Sequence, residues 1–534
     1  MTPCSALMLF VALAPTPVTS PTISFPGLCL VKKNLPVHVT GDPGGNTLAV
    51  IGVNLFNPPI GGLWIAPPQV LLSLGKMPPS GVIDFELRIP NDAAFVGLTF
   101  YAQALVDTQW SDLARKRVGP VTILDPTPKS NSKFGWSVEA ADYNSDGFDD
   151  IFIGAPRAEV GGTLNRGLVF YGDGPDLASF QVLDPPGLTS GAWFGAAIAS
   201  GDINSDGLKD VAVGAILATV GGLTEAGLAY IYLSPNLQQV QIVGDPTPEQ
   251  GSHFGGPIVI GDLNHDGFDD VAIAAPLSTV NAQALAGEVY VFYGPTLVPN
   301  LHLTEPNPET NAIFGSCLSI GDVDGDGYLD LLVGASSGTA GGQPQAGEAF
   351  IFFGPSFARV LNFSDPDPHP VDRFGRASTI GDFNGDGYGD VAISSYRAST
   401  GTLSQAGEAW VFMGPNLYPF YHLIDPIPEE VGEYGVSMAK GNVDGNGKEE
   451  LAVGVEFANL PGGYEDAGAV ILYRNMDWDD PQRLVEYEPQ DASVFGFSIV
   501  FANLYGSGLQ SILSGAILSD YNGLFDVGRV TLYP

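Results

Sequence analysis

The sequence predicts an all-β fold: a seven-bladed β-propeller closed by an N-terminal outer strand and preceded by a small β-sandwich domain. Three observations carry that expectation. The segment Asp142-Tyr-Asn144-Ser-Asp146-Gly147-Phe-Asp-Asp150 returns barely altered at residues 202, 262, 322 and 382, so a unit repeats every 60 residues. Aromatic-Gly pairs stand at 134, 194, 254, 314, 374, 434 and 495, so the units number seven. No stretch keeps a helical period, while 69 Gly and 43 Pro in 534 residues supply the turns that many short strands require.

Taken from the N-terminus, residues 1–20 read as a candidate signal peptide. Residues 5–14, SALMLFVALA, form a short apolar run, and Ala12-Leu13-Ala14 resembles a cleavage site, although residues 2–10 carry no Lys or Arg. The other reading of this run is a first strand of the following domain. Residues 21–117 alternate apolar runs with turn signals, as in Leu35-Pro-Val-His-Val-Thr40, Asp42-Pro-Gly-Gly and Leu48-Ala-Val-Ile-Gly-Val53. About seven strands in roughly a hundred residues suit a small sandwich. The basic run Arg115-Lys116-Arg117 is expected to be the linker to the propeller at 118–534.

Within each propeller unit the order is constant. Strand A follows the aromatic-Gly pair, as in Phe254-Gly-Gly-Pro-Ile-Val-Ile-Gly261, and leads into the acidic loop. Strand B follows, as in Asp270-Val-Ala-Ile-Ala-Ala275, then a Gly-rich connection, then strand C, as in Gly287-Glu-Val-Tyr-Val-Phe-Tyr-Gly294. Strand D ends in an acid-Pro pair at Asp125, Asp184, Asp245, Glu305, Asp365 and Asp425, nine or ten residues before the next aromatic-Gly pair. The last such pair, Glu488-Pro489, stands only seven before Phe495, which predicts a shorter final D–A loop. The array begins with a lone D strand, Val121-Thr-Ile-Leu-Asp125, and ends with a lone C strand at 530–533. Pairing those two completes the seventh blade and removes open sheet edges.

The acidic loops place oxygen side chains at positions 1, 3, 5 and 9 around a glycine at position 6, whose positive φ makes the turn. Oxygen-only ligands on a tight turn suit a hard cation, calcium before magnesium, at about five sites. The expected ligands of loop one are Asp142, Asn144, Asp146, the Phe148 carbonyl and Asp150. Loop two offers Asp202, Asn204, Asp206, the Leu208 carbonyl and Asp210; loop three offers Asp262, Asn264, Asp266, the Phe268 carbonyl and Asp270. Loop four offers Asp322, Asp324, Asp326, the Tyr328 carbonyl and Asp330; loop five offers Asp382, Asn384, Asp386, the Tyr388 carbonyl and Asp390. Loop six keeps only two acids among Asn442, Asp444, Asn446 and Glu450, so a weak site is expected. Loop seven, with Asn503, Tyr505, Ser507 and Ser511, keeps none. The glycine persists in both, as Gly447 and Gly508, so the turn is a folding requirement. The competing reading is an acidic hairpin without an ion, against which the mutual repulsion of its carboxylates argues.

These units resemble FG-GAP repeats, named for Phe-Gly and Gly-Ala-Pro, present here as Phe134-Gly135 and Gly154-Ala155-Pro156. Such repeats build the propeller of integrin α subunits and occur in many secreted bacterial proteins. The resemblance covers about residues 118–534. It implies cations in the A–B loops of one face, stabilising the fold, and a partner on the opposite face, built from D–A and B–C loops. The Gly-Ala-Pro element departs at Ala275-Pro276 and at Ser394-Ser395-Tyr396, and no Arg-Gly-Asp is present.

The formal net charge of −38 argues against nucleic acid or an anionic membrane as partner. No run reaches the roughly 18–20 apolar residues that span a bilayer. Cys4, Cys29 and Cys317 have no metal spacing; Cys317 occupies a column of small residues, Ser137, Ala197, Pro257, Ala377, Ser437 and Ser498, and reads as a buried thiol. Gly334-Ala-Ser336-Ser-Gly338 matches a nucleophile elbow only on paper, because that motif requires a strand-turn-helix context. The six histidines share no catalytic spacing, and His265 at position 4 of loop three is expected to point away from the ion. No enzyme is expected. Lys129, Lys133, Trp193, His253 and Arg373 on D–A loops, with Arg157, Arg166, Tyr396 and Arg397 on B–C loops, are candidates for a partner patch or for ordinary solvated variation. Three functions remain: an extracellular, cell-surface or periplasmic calcium-stabilised adhesion module binding protein; a glycan-binding lectin or polysaccharide-active enzyme; and a surface-layer component.

Overall fold

The computed structural model describes residues 120–533 apart from Pro175, Asp176, Ala178, Asn475, Tyr487 and Ser507; before residue 120 it describes only the backbone of strands. The candidate signal peptide, Cys4 and Cys29 lie outside the described residues. Thr22–Ser24, Asn34–Thr40 and Val82–Arg88 form one antiparallel sheet. Gln69–Lys76, Asn46–Asn54 and Thr99–Val106 form another, with Gln109–Trp110 and Ala114–Arg117 both paired to Thr99–Val106. How the two sheets pack, and hence the expected sandwich, lies outside the described residues. The basic run is a correction: Arg115-Lys116-Arg117 belongs to a strand, not a linker. Charge marks a strand edge as readily as a connection.

Thr122–Leu532 form one compact unit. Six four-stranded antiparallel sheets follow one another in the order A-B-C-D, typified by Phe314–Gly321, Asp330–Ala335, Glu348–Phe353 and Arg359–Ser364. The seventh sheet runs Phe495–Ala502, Ser511–Ala516, Arg529–Tyr533 and then Val121–Leu124, so the two ends of the array share one blade. Strand A of each blade also packs against strand A of the next, including seventh against first. The ring is closed, and no helix occurs among the described residues.

Each blade lies between two neighbours, which explains the sequence of its inner strands. Every residue of Asp330–Ala335 is buried, because both faces of strand B meet another blade. Strand D is the outer edge, and Arg359–Leu361 and Asn362 are exposed. The seven aromatic side chains, Phe134, Phe194, Phe254, Phe314, Phe374, Tyr434 and Phe495, are all fully buried. Their backbone reaches across the blade junction: Phe314 N–H donates to the Ala286 carbonyl at 2.8 Å, and Phe374 N–H to Ala346 at 2.7 Å. After the aromatic residue the A–B register shifts, as between Phe314 and Leu318. In blade three regular pairing therefore begins at Ile258, four residues later than the sequence predicts.

The glycine that opens strand C is dictated by the same junction. A Cβ on Gly347 would lie 2.1 Å from the Phe374 carbonyl oxygen, and its φ is +89°. Gly347→Ala is therefore expected to destabilise the ring by roughly 2–5 kcal/mol, from the left-handed backbone and the displaced neighbour. Urea unfolding will measure it, and an unchanged midpoint would show that the junction is looser than this geometry. The small-residue column has a partner too. Ser137, Ser437 and Ser498 hydroxyls donate to the carbonyl of the next blade's aromatic-Gly glycine at 2.6–2.9 Å, and the Cys317 thiol does so at 3.2 Å. Burial pushes the Cys317 thiol up to about 11, as the sequence reading of an inert cysteine anticipates.

One further correction concerns the last D–A loop. The acid that closes the lone first D strand is fixed by its own bond: buried Asp125 accepts the Ser132 hydroxyl seven residues on at 2.9 Å. In the last copy that acid is Glu486, accepting Ser493 at 2.8 Å, not Glu488. Glu486 stands nine residues before Phe495, so the loop is not shortened. The proline following the acid marks the turn, but the carboxylate's bonds define the position.

Candidate cation loops

The chain runs from the aromatic-Gly pair along strand A to the acidic loop, so the two lie at opposite ends of each blade. The loops adopt one geometry five times. The position-1 carboxylate accepts the backbone N–H groups of positions 5 and 6 of its own loop: Asp202 from Asp206 and Gly207 at 2.9 and 2.8 Å, Asp382 from Asp386 and Gly387 at 3.0 and 2.9 Å. Asp142, Asp262 and Asp322 do the same. The position-5 carboxylates Asp146, Asp206, Asp266, Asp326 and Asp386 accept the N–H of Phe148, Leu208, Phe268, Tyr328 and Tyr388. Position 6 is left-handed throughout, with φ of 87–91° in loops one to five. A side chain at Gly147 or Gly207 would meet nothing within 4 Å, so backbone conformation alone requires glycine there.

Position 9 opens strand B and is fully buried in all five loops, as Asp150, Asp210, Asp270, Asp330 and Asp390. Each accepts the N–H of position 2 and an N–H at the end of strand C; Asp330, for example, accepts Val323 and Gly354, both at 2.9 Å. Burial raises these carboxyls to about 7 for Asp150 and about 6 for the other four, while the backbone N–H bonds lower them and neighbouring aspartates raise them further. At position 3, Asn144, Asn204 and Asn384 accept the position-5 N–H. Asn264 Oδ1 and Asp324 Oδ1 are buried with no partner. In loop four the oxygens of Asp322, Asp324 and Asp330 lie within 4.8 Å of one another. Converging hard oxygens with an orphaned carboxylate oxygen among them fit a divalent cation.

His265 is exposed and meets Tyr328 of the next loop edge-to-face with ring centroids 4.9 Å apart. In loop six Glu450 is buried and accepts Val443 N–H, reproducing position 9, while Asn442 replaces the position-1 acid and bonds Gly445 N–H. The acid-free loop seven keeps its turn, with Gly508 at φ 75°.

Sequence reasoning missed position 8. Its backbone N–H donates to the position-1 carbonyl of the preceding loop from Asp149, Asp269, Gly389, Glu449 and Gln510. The side chains of Asp149, Asp269, Glu449 and Gln510 accept the N–H of that same position-1 residue. Position 8 varies between acid, Lys, Leu, Gly and Gln, so no motif signals it. Arg359, whose guanidinium lies 2.6 Å from Asp324 Oδ2 and stacks on Phe353 at 3.6 Å, was also invisible, being 35 residues away.

At the other end of the blades most basic candidates already have partners. Lys133 is buried 3.0 Å from Asp526, Arg166 lies 2.6 Å from Asp184, Arg397 3.3 Å from Glu433, and His253 3.7 Å from Glu225. Arg373 bonds Gln345, and Lys129 is exposed. Two clusters do form. Trp136 packs on Trp193 and Phe497 at 5.5 and 4.9 Å, with Arg157 5.3 Å over Trp193. Arg376 and Arg397 flank Tyr396 at 5.8 and 5.2 Å. Ser336 and Ser337 are buried at the end of strand B of blade four, and the chain continues to strand C without a helix, so this is not a nucleophile elbow. No helix among the described residues is long and apolar enough to cross a membrane.

The FG-GAP repeat family matches residues 134–165, 194–232, 254–292, 314–352 and 374–412, within blades one to five. Integrin alpha-5 of Xenopus laevis is 30% identical over 269 residues, covering 48% of this chain and 24% of that protein. Integrin alpha-V of Gallus gallus is 32% identical over 254 residues, covering 45% and 23%. Integrin alpha-PS5 of Drosophila melanogaster is 34% identical over 162 residues, covering 28% and 16%. The chain thus spans at most 24% of the length of these relatives. Among solved structures, Trypanosoma rangeli sialidase in complex with sialic acid aligns with a TM-score of 0.35 and 10% identity over 78% of this chain and 59% of that one. That likeness is too low to bear on fold or function.

Proposed function

We propose, from the premise that this chain carries five FG-GAP repeats on a closed seven-bladed ring similar to integrin alpha chains, that it is a calcium-stabilised protein-interaction or adhesion module acting outside the cell or on its surface. The observation that carries the reading is the fivefold Asp-x-Asx-x-Asp-Gly-x-x-Asp loop with its buried position-9 carboxylate. Positions 1, 3, 5 and 9 and the position-7 carbonyl would hold the cation in each loop. The cation would neutralise carboxylates that the turn forces together, and so lock strand A to strand B. Partner binding falls to the opposite end of the blades, where the Trp136–Trp193–Phe497 and Arg376–Tyr396–Arg397 clusters offer aromatic and basic anchors.

Equilibrium dialysis of the full chain is expected to recover about five calcium ions per molecule. Asp322→Asn with Asp326→Asn should remove one of them and leave the far-UV spectrum unchanged. Retention of all five would exclude loop four as a site. For the partner, the propeller immobilised in calcium should capture a cell-surface protein that chelation releases. The aromatic cluster beside Arg157 favours a glycan as the second reading, and binding on a glycan array with no protein captured would select it.

A further inference from the structure

Loops two and three are joined more tightly than any other pair of five-ligand loops among the described residues, and the joint is Asp269. Its backbone N–H donates to the Asp202 carbonyl at 3.1 Å, and its carboxylate accepts the Asp202 N–H at 2.7 Å. Asp202 is position 1 of loop two. Asp269 is flanked by Phe268 and Asp270, whose carbonyl and carboxylate are positions 7 and 9 of loop three. One two-point clamp therefore spans the ligand sets of both loops.

The surroundings leave this clamp little freedom. A Cβ on Gly201, just before Asp202, would lie 2.1 Å from Ile260 Cγ2 and 2.9 Å from Asp269 Oδ2. Gly294 donates its N–H to Asp270 at 3.0 Å. A Cβ there would sit 2.5 Å from the Asp269 carbonyl and 2.7 Å from the Ile203 carbonyl, so Gly294 touches both loops. The Lys209 ammonium, 3.5 Å from Asp269 Oδ2, offsets part of its charge.

The equivalent position elsewhere does not make this clamp between two complete loops, Gln510 making it only between the degenerate loops seven and six. Lys209 and Leu329 have no acceptor to offer loops one and three, and Gly389 offers loop four only its backbone N–H. Asp149 and Glu449 do make the two-point clamp, but to the acid-free loop seven and from the acid-poor loop six. Among the described residues the joint between two complete loops occurs once.

We propose that loops two and three take up their cations as a positively coupled pair, with Asp269 as the positioning residue that links them. This rests on the calcium reading above. A cation in loop two holds Asp202 in place, and with it the N–H and carbonyl to which Asp269 is bonded. Phe268 and Asp270 are thereby ordered before loop three fills, so the second ion meets a smaller ordering cost.

The test uses terbium as a calcium surrogate on the chelator-stripped full chain, with Phe268→Trp in every arm as an antenna beside loop three. Luminescence gained over the same variant with Phe268 intact reads loop-three occupancy, because the native tryptophans and the tyrosines of loops four and five contribute equally to both. Disabling loop two with Asp202→Asn and Asp206→Asn should raise the terbium midpoint of loop three at least about fivefold. In an Asp269→Ala background the same disabling should leave the midpoint unmoved. Asp269→Asn, which keeps an acceptor for the Asp202 N–H, should restore the shift, which a mere charge effect would not do. Circular dichroism on each variant confirms that the ring is folded. A midpoint that ignores loop two with Asp269 intact, or that falls when loop two is disabled, overturns the coupling and leaves the calcium reading standing. Absence of luminescence in every arm overturns both.

Discussion

Exhaustive chelation is expected to lower the melting temperature of the propeller by roughly 10 °C or more. The argument is linkage. An ion that binds the folded loop and not the unfolded chain stabilises by about 2.7 kcal/mol per site at a hundredfold excess over its dissociation constant. Five loops acting on one closed ring make the sum large against ordinary domain stability of about 5–15 kcal/mol. The carboxylates supply the second half of the argument. Asp150, Asp210, Asp270, Asp330 and Asp390 are fully buried, with burial raising each of them. With the ion gone, those groups face aspartates of their own loops with no compensating cation. Magnesium should restore less than calcium, since it demands a near-octahedral shell at shorter distances than a nine-residue turn readily supplies. Calorimetry with chelator, calcium and magnesium decides the matter, and an unmoved melt after complete chelation would remove structural calcium from the account.

The second large effect lies at the seam of the ring. Arg529, on the last C strand, donates from Nε and Nη2 to the two Glu486 oxygens at 2.6 and 2.8 Å, with the two side chains only 8% and 1% exposed. The same strand pairs with Val121–Leu124, and Glu486 follows the D strand of the sixth blade, so this ion pair ties the blade shared by the two ends of the array to its neighbour. Glu486→Ala is expected to destabilise by about 3–5 kcal/mol, because it leaves the Arg529 guanidinium buried without its counter-charge, while the Ser493 hydroxyl keeps the Ala467 carbonyl as acceptor. Replacing both residues by apolar side chains of similar volume should recover much of the loss, since a buried ion pair is weak as a net contributor but costly when halved. Denaturant titration of the single and double variants separates these. Equal loss in both would mean that the uncompensated guanidinium is not the source of the effect.

The repeat itself made much of this molecule legible in the sequence. The acidic loop, the aromatic-Gly pair and the alternation of short apolar runs recur at one period, so each copy checks the others. The degenerate loops six and seven separated what the turn needs from what an ion would need. The lone strands at 121–125 and 530–533 predicted the closure that the sheet order displays. Where single marks replaced repeated ones, the reading slipped. Arg115-Lys116-Arg117 suggested a linker and is a strand. Glu488-Pro489 suggested a shortened loop, because the acid was recognised by its proline and not by the serine it binds.

The chain's own order of residues determined the number of blades, the strand sequence within each, and the oxygens of each loop, because these depend on contacts within about 60 residues that every copy repeats. Only the tertiary structure decided what crosses from blade to blade. Gly347 is glycine because of a carbonyl on Phe374, Cys317 tolerates burial because of a carbonyl on Gly375, and Asp269 matters because of a peptide on Asp202. Those partners belong to neighbouring copies that face one another only after the ring has formed. A residue's covalent neighbours carry no trace of a contact that circular packing creates.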